Sequence, residues 1–414
     1  QIPLKYLITV EMGKETKTGA AVLRHHLTFE APKHIFLMLF MLHDMHEGGS
    51  FFQPYYDVLP SRLSNMPIFW SEEELKYLEG SHVVQQVSER RSVIQKDYEA
   101  ICAVAPWFSD VSTAERFAWA RMIVCSRNFG ITYTYHGQQV KSSAMVPYAD
   151  MLNHYRPRET RWAFNTTNEM FEIHAVTGIG NGMQVYDSYG KKDNHRFLLN
   201  YGFSVEDNRE EDGSNPNEVY TLLTLEPEVE SYALKRKLLL RSGPIPRGLR
   251  VSENYEDEET REAFAFLRVA MATTAELHAL LESYHVQGSH PDRRFDLRWA
   301  HDPISLRNEE RVLRKLAMVQ LNQLRRYPTT LEHDVERLAS SELKPFSNER
   351  NALIQVKSEK EICHYYVKLA ARCIPLLRMS FPELCTIYTA EFRKTSAVST
   401  YVYKAIAQAS RMEF

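Results

Sequence analysis

The sequence predicts an α+β fold in two parts, and three observations predict it. Residues up to Arg127 show one helix signal after another, residues 131–203 read as short strands between tight turns, and the chain beyond residue 218 returns to helical periodicity almost throughout. A 414-residue chain with 44% hydrophobic and 25% charged residues has ordinary globular composition. Its length calls for two or three domains instead of a single core.

A formal charge of −3 supplies no global basic field, so a nucleic-acid partner held mainly through phosphates is not expected. The five cysteines (Cys102, Cys125, Cys363, Cys373 and Cys385) are scattered, odd in number and without a Cys-x-x-Cys pair. This usage points to a reducing compartment, cytoplasmic or nuclear, and away from a structural zinc site. Residues 35–42 form the most apolar run, far short of the roughly 20 residues that cross a bilayer, and no signal-peptide pattern opens the chain. A soluble protein with no membrane partner is expected.

Taken in order, residues 2–10 read as extended, with Pro3 ahead of β-branched and aromatic positions. Ala31-Pro32 opens a helix through Met45, apolar on nearly every side and therefore buried, which Gly48-Gly49-Ser50 ends. Ser71-Glu72-Glu73-Glu74 is a capping box. From Ser81 to about Ala103, Val83, Val84, Val87, Val93, Ile94, Tyr98 and Ile101 recur at helical spacing. Ser112-Thr113-Ala114-Glu115 starts a helix that delivers Ser126 and Arg127 to its end.

Alternating Thr132, Tyr133, Thr134 and Tyr135 before His136-Gly137 predict a hairpin over residues 131–146. Residues 162–176 alternate again around a polar turn at 165–168, and a Gly-rich turn at 178–182 precedes residues 183–189. Residues 206–218 are polar and acidic, with Gly213 and Pro216, and read as a linker. Beyond them Thr273-Thr274-Ala275-Glu276, Asn308-Glu309, Thr329-Thr330-Leu331-Glu332 and Ser358-Glu359-Lys360-Glu361 each signal a helix start.

The chemistry-bearing stretch is Asp150-Met151-Leu152-Asn153-His154, followed after the strand-like runs by Ser188-Tyr189-Gly190 and by Asn200-Tyr201-Gly202-Phe203. Singly, Asn153-His154 reads as a turn beside a packed imidazole and Tyr189-Gly190 as a strand end. The His residues lack His-Glu-x-x-His or comparable spacing, so no metal is expected, and no Gly-x-Ser-x-Gly elbow, dinucleotide fingerprint or phosphate loop occurs.

In this order and spacing, the stretch resembles the SET-domain protein methyltransferases that carry a Rubisco-methyltransferase-type helical substrate-binding domain. The resemblance implies a β-rich SET domain with a helical insertion, then an all-α substrate-binding domain. Its boundaries are 1–207 for the SET part with insertion at about 20–127, 208–218 for the linker and 219–388 for the helical domain. The role of residues 389–414 stays unassigned. The implied activity is protein N-methyl transfer from S-adenosyl-L-methionine, with a protein substrate bound between the two domains. The implied catalytic residue is Tyr189, at the methyl-transfer point. Arg127, Asp150, Asn153, His154 and Tyr201 are implied cofactor contacts, and Phe129, Ala149 and Phe203 substrate-side positions.

Two of these positions bear on the acceptor nitrogen. Histidine-specific methylation in the family goes with an Asn at the position of Phe129 and a Trp at that of Ala149, and both differ here. Phe129 offers an imidazole no hydrogen-bonding group, and a buried unpaired ring nitrogen costs about 1–3 kcal/mol. Lysine is therefore the expected acceptor, with histidine methylation and a non-catalytic docking module as alternatives. The family's first cofactor motif, a Gly-rich turn between two early strands, would precede Ile2, so a fragment of a longer enzyme is expected, with loss of the motif in a non-catalytic descendant as the alternative. Met183 stands where many relatives have Glu.

Overall fold

The structure is a computed structural model and describes residues 1–283, 295–392 and 397–412. The extended stretch expected over residues 2–10 is divided by a 3-10 turn at Leu4–Tyr6 into two short strands that serve different sheets. Ile2–Pro3 pairs with Met170 and Phe171, whereas Ile8–Thr9 pairs with Ala144 and Met145. The Thr9 hydroxyl accepts from the Met12 backbone N–H at 3.5 Å and starts the helix Val10–Glu15, a local bond that extended backbone could not make.

Helices then follow near their signals, with the caps at Thr113, Ser305 and Thr330, one to three residues from the expected starts at Ser112, Asn308 and Thr329. Pro32–Glu47 buries Ile35, Leu37, Met38 and Leu39 completely, and Phe117 and Ile123 of Ala114–Arg127 join the same core. The hairpin forms between Asn128–Tyr135 and Gln138–Met145, with Tyr135 opposite Gln138. Its two corner residues, His136 and Gly137, both have positive φ (47° and 77°), the tight-turn geometry that matches strand twist. A second antiparallel pair joins Thr160–Asn165 to Met170–Ala175, and a two-residue parallel pair joins Asn153–His154 to Tyr186–Asp187. Ile131, Tyr133, Ala144, Ala149 and Phe171 fill the space between the small sheets.

The C-terminal part adds one feature to its helices, an antiparallel ribbon of Glu218–Leu223 with Arg247–Ser252. Val219, Leu223, Leu249 and Val251 turn into the helical core beside Phe264, Leu313 and Ile362. The alternation of Glu218, Tyr220 and Leu222 with buried Val219, Thr221 and Leu223 is the period-2 pattern of a half-covered strand. The long helix Asn348–Leu376 begins at Ser347, whose hydroxyl accepts from the Arg350 N–H at 3.2 Å. Ser358-Glu359-Lys360-Glu361 therefore lies mid-helix, where the Ser358 hydroxyl donates to the Ile354 carbonyl at 2.8 Å. A serine three residues ahead of a glutamate has the same spacing at a helix start and on a helix face.

That long helix joins the two parts. Trp70, Leu78, Val83, Leu198 and Leu199 pack on Tyr327, Ala352 and Val356. Within the contact, the buried Glu359 carboxylate accepts from the Ser81 hydroxyl at 2.8 Å, the Tyr327 hydroxyl at 2.9 Å and the Gln355 amide at 3.0 Å. Burial pushes the Glu359 carboxyl up from its ordinary range, and the three donors oppose that shift. Asn194 Nδ2 donates to the Ser358 hydroxyl at 2.8 Å and tightens the same contact. Glu359→Ala strands several buried donors, so denaturant unfolding should show a loss of about 3 kcal/mol; Ser81→Ala should lose about 1 kcal/mol.

Candidate active site

The helix Ala114–Arg127 runs without a loop into the strand beginning at Asn128, whose backbone is already extended (φ −85°, ψ 149°). Arg127 is thereby fixed at the junction. Its Nη1 donates to the Asp150 carbonyl at 3.0 Å and to Asp150 Oδ2 at 3.3 Å. Asp150 sits in the 3-10 turn Ala149–Met151, and Oδ2 also accepts from the Tyr55 hydroxyl at 2.7 Å. Its other oxygen, Oδ1, is buried without a protein partner. Burial raises the Asp150 carboxyl above its ordinary range, and Arg127 pulls it back down.

His154 and Tyr189 are held to each other. The Tyr189 N–H donates to His154 Nδ1 at 3.1 Å, which leaves the ring proton on Nε2. Burial, reinforced by Arg156, lowers the His154 pKa to about 4, so the imidazole is neutral at physiological pH. The Tyr189 hydroxyl donates to the Leu152 carbonyl at 2.8 Å, and burial lifts its pKa to about 12, which keeps it a phenol. The ring stacks on Tyr201 with centroids 4.9 Å apart and on His154 at 5.2 Å.

Gly202 ends the helix Asn194–Tyr201 in the left-handed conformation (φ 77°) and turns Phe203 back toward His154 and Phe197. A Cβ on Gly202 would fall 2.3 Å from Asn65 Nδ2, which donates to the carbonyls of Tyr201 and Gly202 at 3.3 Å each. Glycine is required there twice over, by φ and by space.

These side chains enclose two cavities. The larger, of about 680 Å³, is lined by Asn153, His154, Phe203 and Ser204, and by Leu63, Asn65 and Met66 from an earlier loop. The smaller, of about 180 Å³, is walled by Phe129, Ala149, Leu152, Trp162 and Lys192. Ser126, Arg127, Asp150, Tyr189 and Tyr201 line both and form the wall where they meet. Every residue expected at the site thus lies on one cavity or the other. Phe203, expected together with Phe129 and Ala149, lines the larger cavity and not the smaller one that those two share.

Sequence reasoning missed several residues of the site. Trp162 stands edge-on to Phe129 at 5.1 Å and stacks on Phe171 at 5.5 Å, which turns one wall of the smaller cavity aromatic. Nothing in its alternating strand marked it. Lys192, three residues beyond Tyr189, donates from Nζ to the Tyr189 carbonyl and lies 5.8 Å from the Tyr201 ring centroid. Burial, then Arg196 and Arg156, lowers its pKa. Its proximity to the Tyr-Gly motif was a usable signal. Among the described residues, no group of three or more His, Cys, Asp or Glu side chains is arranged to hold a metal ion. None of their helices is long and apolar enough to cross a membrane.

Comparison with known proteins gives a consistent picture. Residues 226–362 match the Rubisco LSMT substrate-binding family. Actin-histidine N-methyltransferase of Callithrix jacchus is 28% identical over 380 residues, covering 89% of this chain and 61% of that protein. The Homo sapiens protein of the same name matches to the same extent, and that of Gallus gallus is 27% identical over 379 residues. The chain thus spans 61% of the length of these relatives. The fold matches the SET domain of LSMT bound to lysine and AdoHcy with a TM-score of 0.69 at 17% identity, over 97% of this chain and 88% of that one. Rubisco LSMT bound to AdoMet matches with a TM-score of 0.68 at 18% identity, over 95% and 87%. The chain therefore has the fold of the SET-domain LSMT structures, and residues 226–362 match the Rubisco LSMT substrate-binding family.

Proposed function

We propose that this protein is an S-adenosylmethionine-dependent protein N-methyltransferase that acts on lysine. The observation that supports it most is the pair of cavities meeting at Tyr189, Tyr201, Arg127, Asp150 and Ser126. Two reactants entering from opposite sides would face each other only across that wall, as in-line displacement requires.

The larger cavity suits the cofactor. Its volume lies within the usual range for such sites. Arg127, partly exposed on the cavity, would hold a carboxylate, and neutral His154 and Asn153 add uncharged polar contacts. Phe203 joins this set as an aromatic wall. The cofactor supplies an electrophilic methyl group on a sulfonium centre.

The remaining work falls to the acceptor side. Phe129, Trp162, Tyr189 and Tyr201 surround the smaller cavity with ring faces and edges, which suits an ammonium carried on an aliphatic stem. Enclosure there lowers the acceptor's pKa and favours loss of its proton to solvent before transfer. The Tyr189 hydroxyl donates to Leu152 and keeps lone-pair density for an amine N–H, so it can orient the neutral nitrogen. No covalent enzyme intermediate is needed. The helical domain and the groove beside it would select the protein substrate, which neither cavity identifies.

A histidine acceptor is the second reading, favoured by the names of the relatives. Against it stand Phe129 and Ala149, which offer a far imidazole nitrogen no partner, while Asn128, Asp187 and Ser188 form the polar side of the same cavity. Labelled methyl transfer from S-adenosylmethionine into a protein extract, followed by hydrolysis, should release methyl-lysine; methyl-histidine as the labelled product would overturn the lysine reading. Tyr189→Phe should lower kcat by roughly a hundredfold while S-adenosylhomocysteine binds within about threefold of the unaltered protein. Because His154 titrates near pH 4, that affinity should stay flat from about pH 6 to 8 by calorimetry, and weaken only as acid protonates Nδ1.

A further inference from the structure

One wall of the larger cavity comes from the far end of the sequence. Phe346 lines it, although the residue lies in the C-terminal part, in the turn that leads into the helix Asn348–Leu376. Two features of Phe346 run against ordinary folding preferences. The residue is 86% exposed, and its backbone has φ 60°, in the left-handed region that a bulky residue rarely adopts. It is the third residue of a Lys344-Pro345-Phe346-Ser347 turn closed by the Ser347 N–H on the Lys344 carbonyl at 3.3 Å, a place usually filled by Gly or Asn. An exposed apolar ring on strained backbone lowers stability, so its presence at the mouth of a cavity points to use.

The turn is also held in place from both sides of that mouth. Asn348 Nδ2 donates to the Ser64 carbonyl at 2.9 Å and to Glu74 Oε1 at 2.8 Å, which ties the turn to the loop bearing Leu63, Asn65 and Met66. Asn351 Oδ1 accepts from the Ser204 N–H at 3.0 Å, and its Nδ2 donates to the carbonyl of Phe346 itself at 3.4 Å. The two walls and the turn between them form one hydrogen-bonded frame.

We propose that Phe346 is a cofactor-binding residue, through which the helical part supplies an aromatic ring that stacks on the adenine of S-adenosylmethionine. This rests on the larger cavity being the cofactor's. The charged lining residues Arg127 and Asp150 sit where the two cavities meet, whereas Phe346 belongs to the portion that the smaller cavity does not share. The neutral imidazole of His154 lines that unshared portion too, so the part of the ligand that fits there is its flat, uncharged ring. Cofactor affinity thereby depends on the docking of the C-terminal part.

The test is calorimetric titration of the protein, F346G and F346W with S-adenosylhomocysteine, alongside thermal unfolding without ligand. F346G should bind roughly fivefold or more weakly, since stacking on a base contributes at least that much. Its melting temperature should hold or rise, because glycine accepts positive φ freely. F346W, which keeps a ring, should bind within about twofold. In turnover assays F346G should raise the KM for S-adenosylmethionine and leave kcat near its original value. F346G binding as tightly as the unaltered protein would overturn the assignment of Phe346 alone. Failure of the unaltered protein to bind would overturn the cofactor reading and this inference together.

Discussion

The contact between Arg127 and Asp150 is the constraint on which the site depends. Asp150 is a carboxylate taken out of water, an arrangement that costs several kcal/mol unless charge and hydrogen bonds compensate it. Arg127 and Tyr55 provide that compensation from separate helices, and in doing so they bring a helix end, a 3-10 turn and an early helix to one point. The wall between the two cavities is built from this junction together with the stacked rings of Tyr189 and Tyr201. Only one of the two carboxylate oxygens finds a protein partner, so the junction holds a buried acceptor that is unpaired.

Around it the molecule divides the work by secondary structure. Short strands, too small to stand alone, position the backbone of Asn153 and His154 beside Tyr186 and Asp187. Helices supply rigid ends, and left-handed turns at Gly202 and Phe346 aim aromatic rings that straight elements could not deliver. In the C-terminal part, the Arg268 guanidinium donates to both oxygens of Glu309 at 2.7 Å in a fully buried pair, which registers two helices of the core. The long helix then carries that core's position to the first part through Glu359 and Asn351.

Much of this was legible in the residues themselves, and the reasons it was or was not are physical. His136-Gly137 and the alternation around it specified a hairpin because the required positive φ values restrict residue choice. Capping residues such as Ser71 and Thr330 marked helix starts because an orphan N–H needs an oxygen close in sequence. The site residues Arg127, Asp150, His154, Tyr189 and Tyr201 lie in recognisable local strings and do converge. Contributions from distant strands and loops left no such trace. Trp162 is one more aromatic in an alternating strand, Asn65 an ordinary loop amide, and the strand Glu218–Leu223 lies just past the expected linker, where a helical pattern was expected.

The larger cavity is lined from residue 60 through residue 346, so it exists only when chain segments nearly three hundred residues apart are all in place. Loops of that length close late in folding, after local helices and hairpins have formed. A ligand that fills the cavity therefore recognises the assembled molecule and no smaller piece of it. By mass action, ligand at a hundred times its dissociation constant stabilises that assembly by about 2.7 kcal/mol. Such a ligand would act as a clamp on the tertiary structure, joining segments that no single element connects.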